Sequence, residues 1–472
     1  MQHVSTRGEA PPLGFAEVML AGLARDGGLY VPQSWPAIAP REIAAFAGRP
    51  YAEVATDIIR RFVDDSIGDA DLARMAREAY GGFRHAAVAP LTQLGANTFA
   101  LELFHGPTLA FKDLAMQLLA RLMDHVLAAR GERRTIVVAT SGDTGGAAVE
   151  AFRDRNQVDL VVLFPHRRIS DVQRRMMTTS DARNVSALAI DGTFDDCQAL
   201  VKAMFNHGAF RDRVRLSGVN SINWARIVAQ TVYYFTAAVA LGAPHRKVAF
   251  TVPTGNFGDI YAGYLAQRMG LPIDRLVIAT NVNDILARTL ATGSYELRDV
   301  VATTSPSMDI QVSSNFERLL FDAYGRDSSA IRPLMASLAQ SRRFTMSAPA
   351  LAQIRATFTA GRADEDEVAA TIRTVRRETG HLVDPHSAVG IAVAEKEDAR
   401  DPAIPMVVLA TAHAAKFPDA VAAACGVRPS LPDWLSGLEQ RPERVTVLPV
   451  DQSAVERFVA STSRAAQEGA AA

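Results

Sequence analysis

Lys112 is the residue of this sequence best placed to act as a reactive amine. It follows Leu109, Ala110 and Phe111 in the stretch "LELFHGPTLAFKD", and a helix is predicted to begin immediately after it. An apolar setting and a helix N-terminus both disfavour an ammonium ion, so the pKa of such a lysine falls towards the neutral form that a Schiff base requires. The alternative is a lysine that extends its charge to solvent near a helix start, with Asp113 as the N-cap.

Two glycine-rich turns follow predicted buried strands and have the composition of anion-binding turns. "TSGDTGG" spans residues 140–146 and "TGNFGD" spans residues 254–259. In open α/β sheets ligands bind outside the carboxyl ends of the strands, where backbone N–H groups and a following helix N-terminus attract negative charge. Neither turn has the G-x-G-x-x-G or P-loop pattern, which argues against a dinucleotide or ATP site. Either turn alone can be a tight turn without a ligand, but two turns on one sheet favour a bound anion.

Other chemistries are poorly supported by the residues of the first turn. Ser141 is not in a nucleophile elbow, because Ala139 and Asp143 stand where that motif requires glycine. Asp143 has no clustered carboxylates nearby in the sequence with which to bind a metal, and an N-cap or an Asx turn is the simpler interpretation. Only two cysteines occur, Cys197 and Cys425, without metal-like spacing. We therefore predict neither a metal site nor a disulfide framework.

The cofactor that requires both a reactive lysine and a phosphate-binding turn is pyridoxal phosphate. It accounts together for Lys112, for the turn "GNFGD" and for Thr411 in "LATAH", where a predicted strand ends. In this interpretation the Thr411 hydroxyl faces the pyridine nitrogen. The alternative for Thr411 is a buried hydroxyl bonded to the backbone.

The elements that must position these residues alternate between strand and helix from about residue 95 onwards. Period-3.6 and buried-strand patterns predict a helix over 113–131 that ends at Gly131, and a long apolar helix over 221–242. This alternation predicts parallel sheets with helices on both faces. Residues 325–375 lose strand character and are expected to form a peripheral helical piece, whereas the first 90 residues form a small helical region. The predicted strands are 135–140, 158–165, 184–190, 247–254, 275–281 and 403–413.

Composition excludes several classes of protein. The chain has 472 residues, 48% of them hydrophobic and 21% charged, which is typical of a globular protein with a sizeable core. Its formal net charge of −1 gives no support for binding to nucleic acid or to an anionic membrane surface. The first residues lack the apolar region of a secretory signal, and the apolar run 231–242 is too short to span a bilayer. We therefore expect a cytoplasmic enzyme without nucleic-acid or membrane partners.

Several of these motifs together resemble threonine synthases of the fungal and bacterial branch. The similarity extends from about residue 5 to residue 425, and it is carried by "ARDGGLYVP", "LELFHGPTLAFKD", "ATSGDTGGAA", "VPTGNFGDIYAGYLAQRMGLP", "ATNVND" and "TAHAAKF". The resemblance implies the tryptophan-synthase β fold type, with two parallel-sheet α/β domains, an N-terminal helical domain and a helical insertion. The segments it implies are 1–92 for the N-terminal domain, 93–345 for the cofactor-binding core, and 346–472 for the insertion and the completion of the core.

The same resemblance implies a pyridoxal-phosphate-dependent lyase that converts O-phospho-L-homoserine and water to L-threonine and phosphate, the last step of threonine biosynthesis. Carried over motif by motif, Lys112 binds the cofactor and acts as acid and base, and Thr411 faces the pyridine nitrogen. The remaining carried-over residues form two groups. Those expected to hold the cofactor phosphate are Gly255, Asn256, Phe257, Gly258 and Asp259, and those expected to hold the substrate carboxylate are Ser141, Gly142, Asp143 and Thr144.

Alternatives remain within and outside this chemistry. A related phospholyase would release phosphate and give a 2-oxo acid, and a ligand-binding relative would keep the fold without catalysis. The sequence departs from the family at Ala414, where proline is frequent, which concerns loop rigidity more than chemistry. His413, Lys416 and Asn283 are candidates for binding the substrate phosphate. A monomer or a homodimer is expected.

Overall fold

The computed structural model describes residues 1–397 and 401–471 of the chain. Its strands are β1 (His3–Ser5), β2 (Tyr30–Pro32), β3 (Leu91–Gly95), β4 (Thr98–Glu102), β5 (Arg134–Ala139), β6 (Val158–Pro165), β7 (Val185–Ile190), β8 (Leu216–Ser217), β9 (Val248–Pro253), β10 (Ile273–Thr280), β11 (Ser294–Glu296), β12 (Arg343–Thr345), β13 (Phe358–Arg362), β14 (Met406–Ala410) and β15 (Thr446–Leu448).

The helices are α1 (Phe15–Ala21), α2 (Pro40–Ala44), α3 (Tyr51–Ile59), α4 (Asp69–Tyr80), α5 (Lys112–Arg130), α6 (Asp143–Phe152), α7 (Asp171–Thr178), α8 (Phe194–Asn206), α9 (Gly208–Arg213), α10 (Trp224–Ala240), α11 (Gly258–Arg268), α12 (Ile285–Thr292), α13 (Phe316–Ala323), α14 (Ser328–Ser341), α15 (Ala348–Arg355), α16 (Glu365–Thr379), α17 (Pro385–Glu395), α18 (Pro418–Cys425), α19 (Gln452–Thr462) and α20 (Arg464–Ala471). Short 3-10 turns occur at Pro306–Met308, Ala414–Lys416, Asp433–Leu435 and Leu438–Gln440.

Two mainly parallel sheets form the body of the protein, as the sequence predicts. The larger sheet has six strands in the order β13-β10-β9-β14-β4-β3, and only the edge strand β3 is antiparallel to its neighbour. The smaller sheet has five strands in the order β15-β7-β6-β5-β8, all parallel. Strands such as β6 and β9 are buried along their whole length, because helices cover both faces of a parallel sheet.

Helix α10 is the central helix of the core. Its residues are buried on every side except near its C-terminal end, and it packs against α5, α11 and α3. Such all-round burial explains why its sequence is mainly apolar and is not divided into an apolar and a polar face. Helix α5 lies beside it and ends at Gly131, whose φ of 63° is a left-handed conformation that glycine adopts without strain. The predicted stop of this helix is therefore confirmed.

The first 90 residues are mainly helical, as expected. Helices α3 and α4 pack on each other and against α10 and α5 of the core. A two-stranded antiparallel sheet of β1 and β2 accompanies them. The N-terminal helical domain is thus present, and its packing on α5 supports the helix that carries Lys112.

The segment 325–375 differs in part from its expected helical character. It contains α14, α15 and most of α16, but it also contains β12 and β13. Strand β13 pairs in parallel with β10 at the edge of the larger sheet. Its sequence "FTAGR" includes a glycine and is only five residues long, so no alternating pattern distinguished it from the helices on either side.

Candidate active site

A cavity of about 370 Å³ lies where strands β5, β9 and β14 end. Ala139 and Pro253 end the first two strands, Thr411 follows the third, and all three residues line the cavity. Nine of the eleven predicted site residues line it, whereas Gly142 and Phe257 do not. The nine are Lys112, Ser141, Asp143, Thr144, Gly255, Asn256, Gly258, Asp259 and Thr411.

Lys112 is the first residue of α5 and presents its amine to the cavity. Its side chain is 11% exposed, and Nζ lies 4.9 Å from the centre of the Phe111 ring. Burial lowers the pKa of Lys112 below the usual value for lysine, an effect that the nearby Asp143 carboxylate partly opposes. The amine is therefore biased towards the neutral, nucleophilic form.

Asp143 is the centre of a buried charge cluster rather than a free carboxylate. Its Oδ1 accepts hydrogen bonds from Lys416 Nζ at 2.7 Å and from Gln173 Nε2 at 2.9 Å, and its Oδ2 lies 3.7 Å from Lys112 Nζ. Burial alone would raise the pKa of Asp143, but the ammonium groups of Lys416 and Lys112 outweigh it and hold that pKa well below its usual range. A permanently ionised Asp143 repels a substrate carboxylate, so only its backbone N–H can hold one.

The turn between β5 and α6 exposes several backbone donors. The Thr140 hydroxyl accepts from the N–H groups of Gly142 and Gly145, both at 2.9 Å, and so fixes the turn. The N–H groups of Ser141, Asp143 and Thr144 donate no hydrogen bond within the described chain. Gly142 itself faces away from the cavity, and a Cβ there would lie 2.4 Å from the Gln173 side chain. Its expected contact with a substrate stays a prediction that the lining of the cavity does not favour.

The turn between β9 and α11 has the same character. The backbone N–H groups of residues 255–258 find no acceptor in the part of the chain that the structure describes. Two carbonyl oxygens of the same turn are hydrogen-bonded. Ser313 Oγ donates to the Gly255 oxygen at 2.7 Å, and Asn315 Nδ2 donates to the Asn256 oxygen at 2.8 Å, so the turn is fixed in place. Successive free donors at the start of a helix form an anion-binding site.

The side chain of Phe257 packs in the core and holds this second turn in place. The residue is fully buried, adopts a left-handed φ of 65°, and packs against the rings of Phe316 and Phe358 at centroid distances of 5.4 and 5.8 Å. A side chain in this position holds the turn in place without touching a ligand in the cavity. Any contact that Phe257 makes with a cofactor must therefore come from its backbone.

Asp259 lines the cavity with a buried carboxyl group. Burial raises the pKa of Asp259 to about 6, although the Ile260 N–H and the cations Lys112 and Arg226 oppose the rise. An ionised carboxylate repels a phosphate, so this side chain suits an anion only while it is protonated. Its backbone N–H, at the start of α11, is the more suitable donor.

Thr411 connects the end of β14 to the start of the Lys112 helix. Its carbonyl oxygen accepts from the Phe111 N–H at 2.8 Å, and its own N–H donates to Ser387 Oγ at 3.2 Å. Its hydroxyl has no hydrogen-bond partner among the residues that are described, so the expected alternative of a hydroxyl bonded to backbone is not what the structure shows. The hydroxyl is free to meet a ligand in the cavity.

Sequence reasoning missed Arg226, a buried cation on the cavity wall. It lies near the start of α10, is 2% exposed, and donates from Nη1 to the Val219 oxygen at 3.1 Å. Its Nε has no partner in the described chain, and burial lowers the pKa of Arg226 to about 10. The available signal was a single charged residue inside the mainly apolar "INWARIVAQTVYYF" run.

His386 was also missed, and it ties a cavity-lining loop to the core. Its Nδ1 lies 2.7 Å from Asp384 Oδ2, and its Nε2 accepts from the Ser307 N–H at 3.2 Å. Since Nε2 accepts this bond, the ring proton is on Nδ1 and is donated to Asp384. Asp384 also accepts from the hydroxyl of Ser387, which in turn holds the Thr411 N–H.

The three candidates for the substrate phosphate do not line this cavity. Lys416 is fully buried and its ammonium is bonded to Asp143 and to the Thr108 oxygen, and Asn283 is bonded within the 281–309 segment. His413 accepts from the Ala415 N–H and packs on Phe104. The structure therefore gives these assignments no support, because each side chain already has partners within the protein, and they stay predictions.

The described residues contain neither a cluster suited to a metal ion nor a helix suited to span a membrane. Three or more His, Cys, Asp or Glu side chains do not come together anywhere in these ranges in a way that could bind a metal ion. None of the helices there combines the length and the apolar character needed to cross a membrane.

Family models match nearly the whole chain. Residues 2–80 match the model "Threonine synthase N terminus", residues 84–412 match "Pyridoxal-phosphate dependent enzyme", and residues 387–459 match "Threonine synthase, C-terminal". Lys112, both turns and Thr411 all fall within the range of the second model.

Individual relatives agree. Threonine synthase of Pseudomonas aeruginosa is 53% identical over 460 residues, which cover 97% of this chain and 98% of the relative. The crystal structure of pyridoxal-phosphate-bound threonine synthase from Brucella melitensis is 62% identical, with a TM-score of 0.96 over 98% of this chain and 100% of that one. The yeast threonine synthase structure is 37% identical, with a TM-score of 0.92 over 98% of both chains.

Proposed function

The chain belongs to the threonine synthase family of pyridoxal-phosphate-dependent enzymes, and on that premise we propose that it converts O-phospho-L-homoserine and water to L-threonine and phosphate. Membership of this family makes it a pyridoxal-phosphate-dependent lyase of threonine biosynthesis. The observation that carries the proposal is the single cavity into which Lys112, two turns with free N–H groups and the Thr411 hydroxyl all project.

The residues of the cavity fit pyridoxal phosphate. The free N–H groups of residues 255–258 suit its phosphate, Lys112 suits covalent attachment, and the unpartnered Thr411 hydroxyl suits a ring nitrogen. When bound, this cofactor supplies an electron sink that makes protons on the substrate carbons acidic. A hydroxyl rather than a carboxylate at the ring nitrogen limits that withdrawal, which we propose disfavours transamination.

Lys112 is proposed as the group that carries protons. The reaction removes protons at Cα and Cβ, releases phosphate from Cγ, and adds water at Cβ, so one amine must alternately accept and donate. An amine does both near neutral pH only if its pKa is below that of an exposed lysine. Burial beside Phe111 supplies this condition.

Substrate recognition is proposed to divide between two anion sites. The free N–H groups at the start of α6, on residues 141, 143 and 144, hold the substrate carboxylate. Arg226 holds the phosphate that leaves, because it is a buried cation on the cavity wall with guanidinium donors to spare. The substrate carboxylate and the substrate phosphate are thus proposed to bind on different walls of the cavity, the first at the "SGDTG" turn and the second at Arg226.

The product distinguishes threonine synthesis from the phospholyase reaction. Both release phosphate, but in the first water adds at Cβ, and in the second the unsaturated product escapes and hydrolyses to 2-oxobutyrate and ammonia. We expect equal amounts of threonine and phosphate from O-phosphohomoserine. Chromatographic amino-acid analysis after complete reaction measures this, and predominant 2-oxobutyrate would replace the proposal with the phospholyase.

The attachment site is tested separately. Borohydride reduction of the yellow protein followed by peptide mapping should place the pyridoxyl group on Lys112, and a label on another lysine would contradict the assignment. Lys112→Ala should abolish turnover, because it removes both the attachment point and the proton carrier. Circular dichroism of this variant checks that the fold is kept.

A cytoplasmic location and a monomeric or homodimeric state complete the proposal. The thiols of Cys197 and Cys425 are both free, which suits a reducing compartment. Cell fractionation tests the location. Light scattering of the purified protein tests the oligomeric state, and a tetramer or larger assembly would contradict it.

A further inference from the structure

Lys416 is a buried ammonium group that the proposed reaction does not use. Its side chain is 1% exposed and lies in the turn Ala414–Lys416 that follows β14. Nζ donates to Asp143 Oδ1 at 2.7 Å and to the Thr108 carbonyl oxygen at 2.9 Å. Burying an ammonium ion is costly unless it is paired and hydrogen-bonded, so these two contacts define its place in the fold.

The contacts of Lys416 join the segments that build the cavity. Asp143 begins α6 in the first turn, Thr108 precedes Lys112, and Lys416 itself follows Thr411 by five residues. Thr108 in turn donates its N–H and its hydroxyl to the Asp113 carboxyl group, at 2.8 and 2.6 Å, which fixes the start of α5. Three separate chain segments therefore meet at one ammonium group.

Asp143 requires a counter-ion that does not change during the reaction. An ionised carboxylate with 4% exposure is strongly destabilised if it has no cation beside it. Lys112 lies 3.7 Å from Asp143 Oδ2, but an amine that accepts and donates protons carries its charge only part of the time. The ammonium of Lys416 lies 2.7 Å from Asp143 Oδ1. It therefore keeps the carboxylate paired whether Lys112 is charged or neutral.

We propose that Lys416 is a positioning residue that neutralises Asp143 and thereby frees Lys112 to become uncharged. This inference rests on the proposed role of Lys112 as the reactive amine. Without Lys416, Lys112 would be the nearest cation to Asp143, and the pair would hold each other in the charged state. The amine would then be less nucleophilic and a weaker base.

The other charges around Lys112 do not replace Lys416. Asp143 faces it from α6, Asp259 from α11, Arg226 from α10 and Lys416 from the turn after β14. The Asp143 carboxylate raises the pKa of Lys112, whereas Lys416 and Arg226 lower it. Of these two cations only Lys416 is bonded to Asp143, so its removal both unpairs the carboxylate and removes a repulsive charge.

The test measures the charge of Lys112 directly. The full-length protein freed of cofactor is acetylated with trace acetic anhydride over a range of pH, and the Lys112 peptide is quantified by mass spectrometry. The wild-type midpoint should lie below that of exposed lysines. In Lys416→Met the midpoint should rise by about one pH unit or more, whereas Lys416→Arg, which keeps the charge, should restore most of the low value.

A double variant keeps the inference testable if Lys416→Met does not fold. Asp143→Asn combined with Lys416→Met leaves no unpaired charge, and since Asp143 is the larger influence on Lys112, its midpoint should fall below the wild-type value. In the holoenzyme the acid limb of the pH profile of turnover should move in the same directions. Circular dichroism checks each fold.

The outcomes separate this inference from the proposed function. A low wild-type midpoint that stays unchanged in folded Lys416→Met, or in the double variant, would overturn the role of Lys416 and leave Lys112 as the reactive amine. A borohydride label on a different lysine would instead overturn the proposed role of Lys112, on which this inference rests, and predominant 2-oxobutyrate would overturn the proposed reaction.

Discussion

Gly255 and Gly258 belong to the same turn, but the space around them differs. A Cβ on Gly255 would lie 2.6 Å from the Ser307 carbonyl oxygen, whereas a Cβ on Gly258 would meet its nearest atom at 3.4 Å. Gly258→Ala should therefore fold normally, and we expect it to lose cofactor affinity, because an added side chain restricts how closely a phosphate can approach the free N–H groups of this turn. Spectroscopic titration of the cofactor-free protein with pyridoxal phosphate measures the change.

Gly146→Ala is the matched control for this prediction. Gly146 also lies in the first turn of a helix, has its nearest neighbour at 3.5 Å and does not line the cavity. It should bind cofactor as the wild type does. Equal affinity of Gly258→Ala and the wild type would place the phosphate elsewhere.

Arg226 is expected to act on the substrate and not on the cofactor. Arg226→Met keeps an unbranched apolar stem but removes the cation, and a hydrogen bond to a charged group is worth about 1.5–3 kcal/mol. We expect inorganic phosphate to inhibit this variant about 10- to 100-fold more weakly, with cofactor affinity little changed. Inhibition constants and cofactor titration together measure this, and parallel loss of both would show that Arg226 serves the cofactor.

At this scale, residues with a local signal could be predicted and residues with a distant partner could not. Lys112 and Thr411 stand beside predicted element ends, and both line the cavity. Arg226 lies inside a mainly apolar helix. His386 reaches the cavity wall through its hydrogen bond from Ser307, which is 79 residues away in the sequence. Lys416 was one of three candidates for the substrate phosphate, and its ion pair with Asp143, which is distant in the sequence, had no local signal.

At the scale of elements, Phe257 links the phosphate-binding turn to the packing of α13 and β13. Truncating a buried phenylalanine costs about 3–5 kcal/mol, and here it also releases the turn that Phe316 and Phe358 hold. Phe257→Ala should lower both the free energy of unfolding and the affinity for pyridoxal phosphate. Denaturant unfolding and cofactor titration measure the two effects.

Phe46 offers the comparison for Phe257. It is also buried, packs on Phe235 at 6.1 Å and does not line the cavity. Phe46→Ala should lower stability by a similar amount and leave cofactor affinity unchanged. If both variants bind cofactor equally well, the turn does not depend on its aromatic anchor.

Long periodic or wholly apolar segments were the elements that the sequence could predict. Helix α5 and strand β6 match their predicted ranges to within one residue. Strand β13 was missed because it is short and lies at a sheet edge, where half-exposed residues show no alternation. Its pairing with β10 joins positions about 80 residues apart, and no local pattern encodes that distance.

At the scale of the whole molecule, the cavity lies between the ends of strands from both sheets. The larger sheet supplies β9 and β14, and the smaller sheet supplies β5. The order of strands is not the order of the sequence, since β14 lies between β9 and β4. The alternating pattern therefore predicted the class of fold, whereas the sharing of strands between the sheets depends on contacts that only the folded chain has. The proposed division at residues 92 and 345 stays a prediction about segments.

Global stability should depend on pH through the buried Asp259. Burial raises the pKa of Asp259 to about 6, whereas an aspartate in an unfolded chain titrates near pH 3.9. The folded state therefore binds more protons than the unfolded state between these values, and stability falls as pH rises through that window and stays lower above it. At about 1.4 kcal/mol for each pH unit, the ionised group costs the cofactor-free protein about 3 kcal/mol at pH 8.

Asp259→Asn should remove this cost, because the amide stays neutral and its oxygen can still accept the Ile260 N–H, which lies 2.9 Å from Asp259 Oδ1. The gain over the wild type should be full at pH 8 and absent near pH 4, measured by denaturant unfolding of the cofactor-free proteins. Asp113→Asn is the comparison variant, because burial also raises the pKa of Asp113 to about 6. Both carboxyl oxygens of Asp113 accept hydrogen bonds from Thr108. An amide has only one oxygen, so the variant loses one of these two hydrogen bonds. It should therefore gain less at pH 8 and be destabilised near pH 4. A gain for Asp259→Asn that is equal at both pH values would show that ionisation of Asp259 is not its cause.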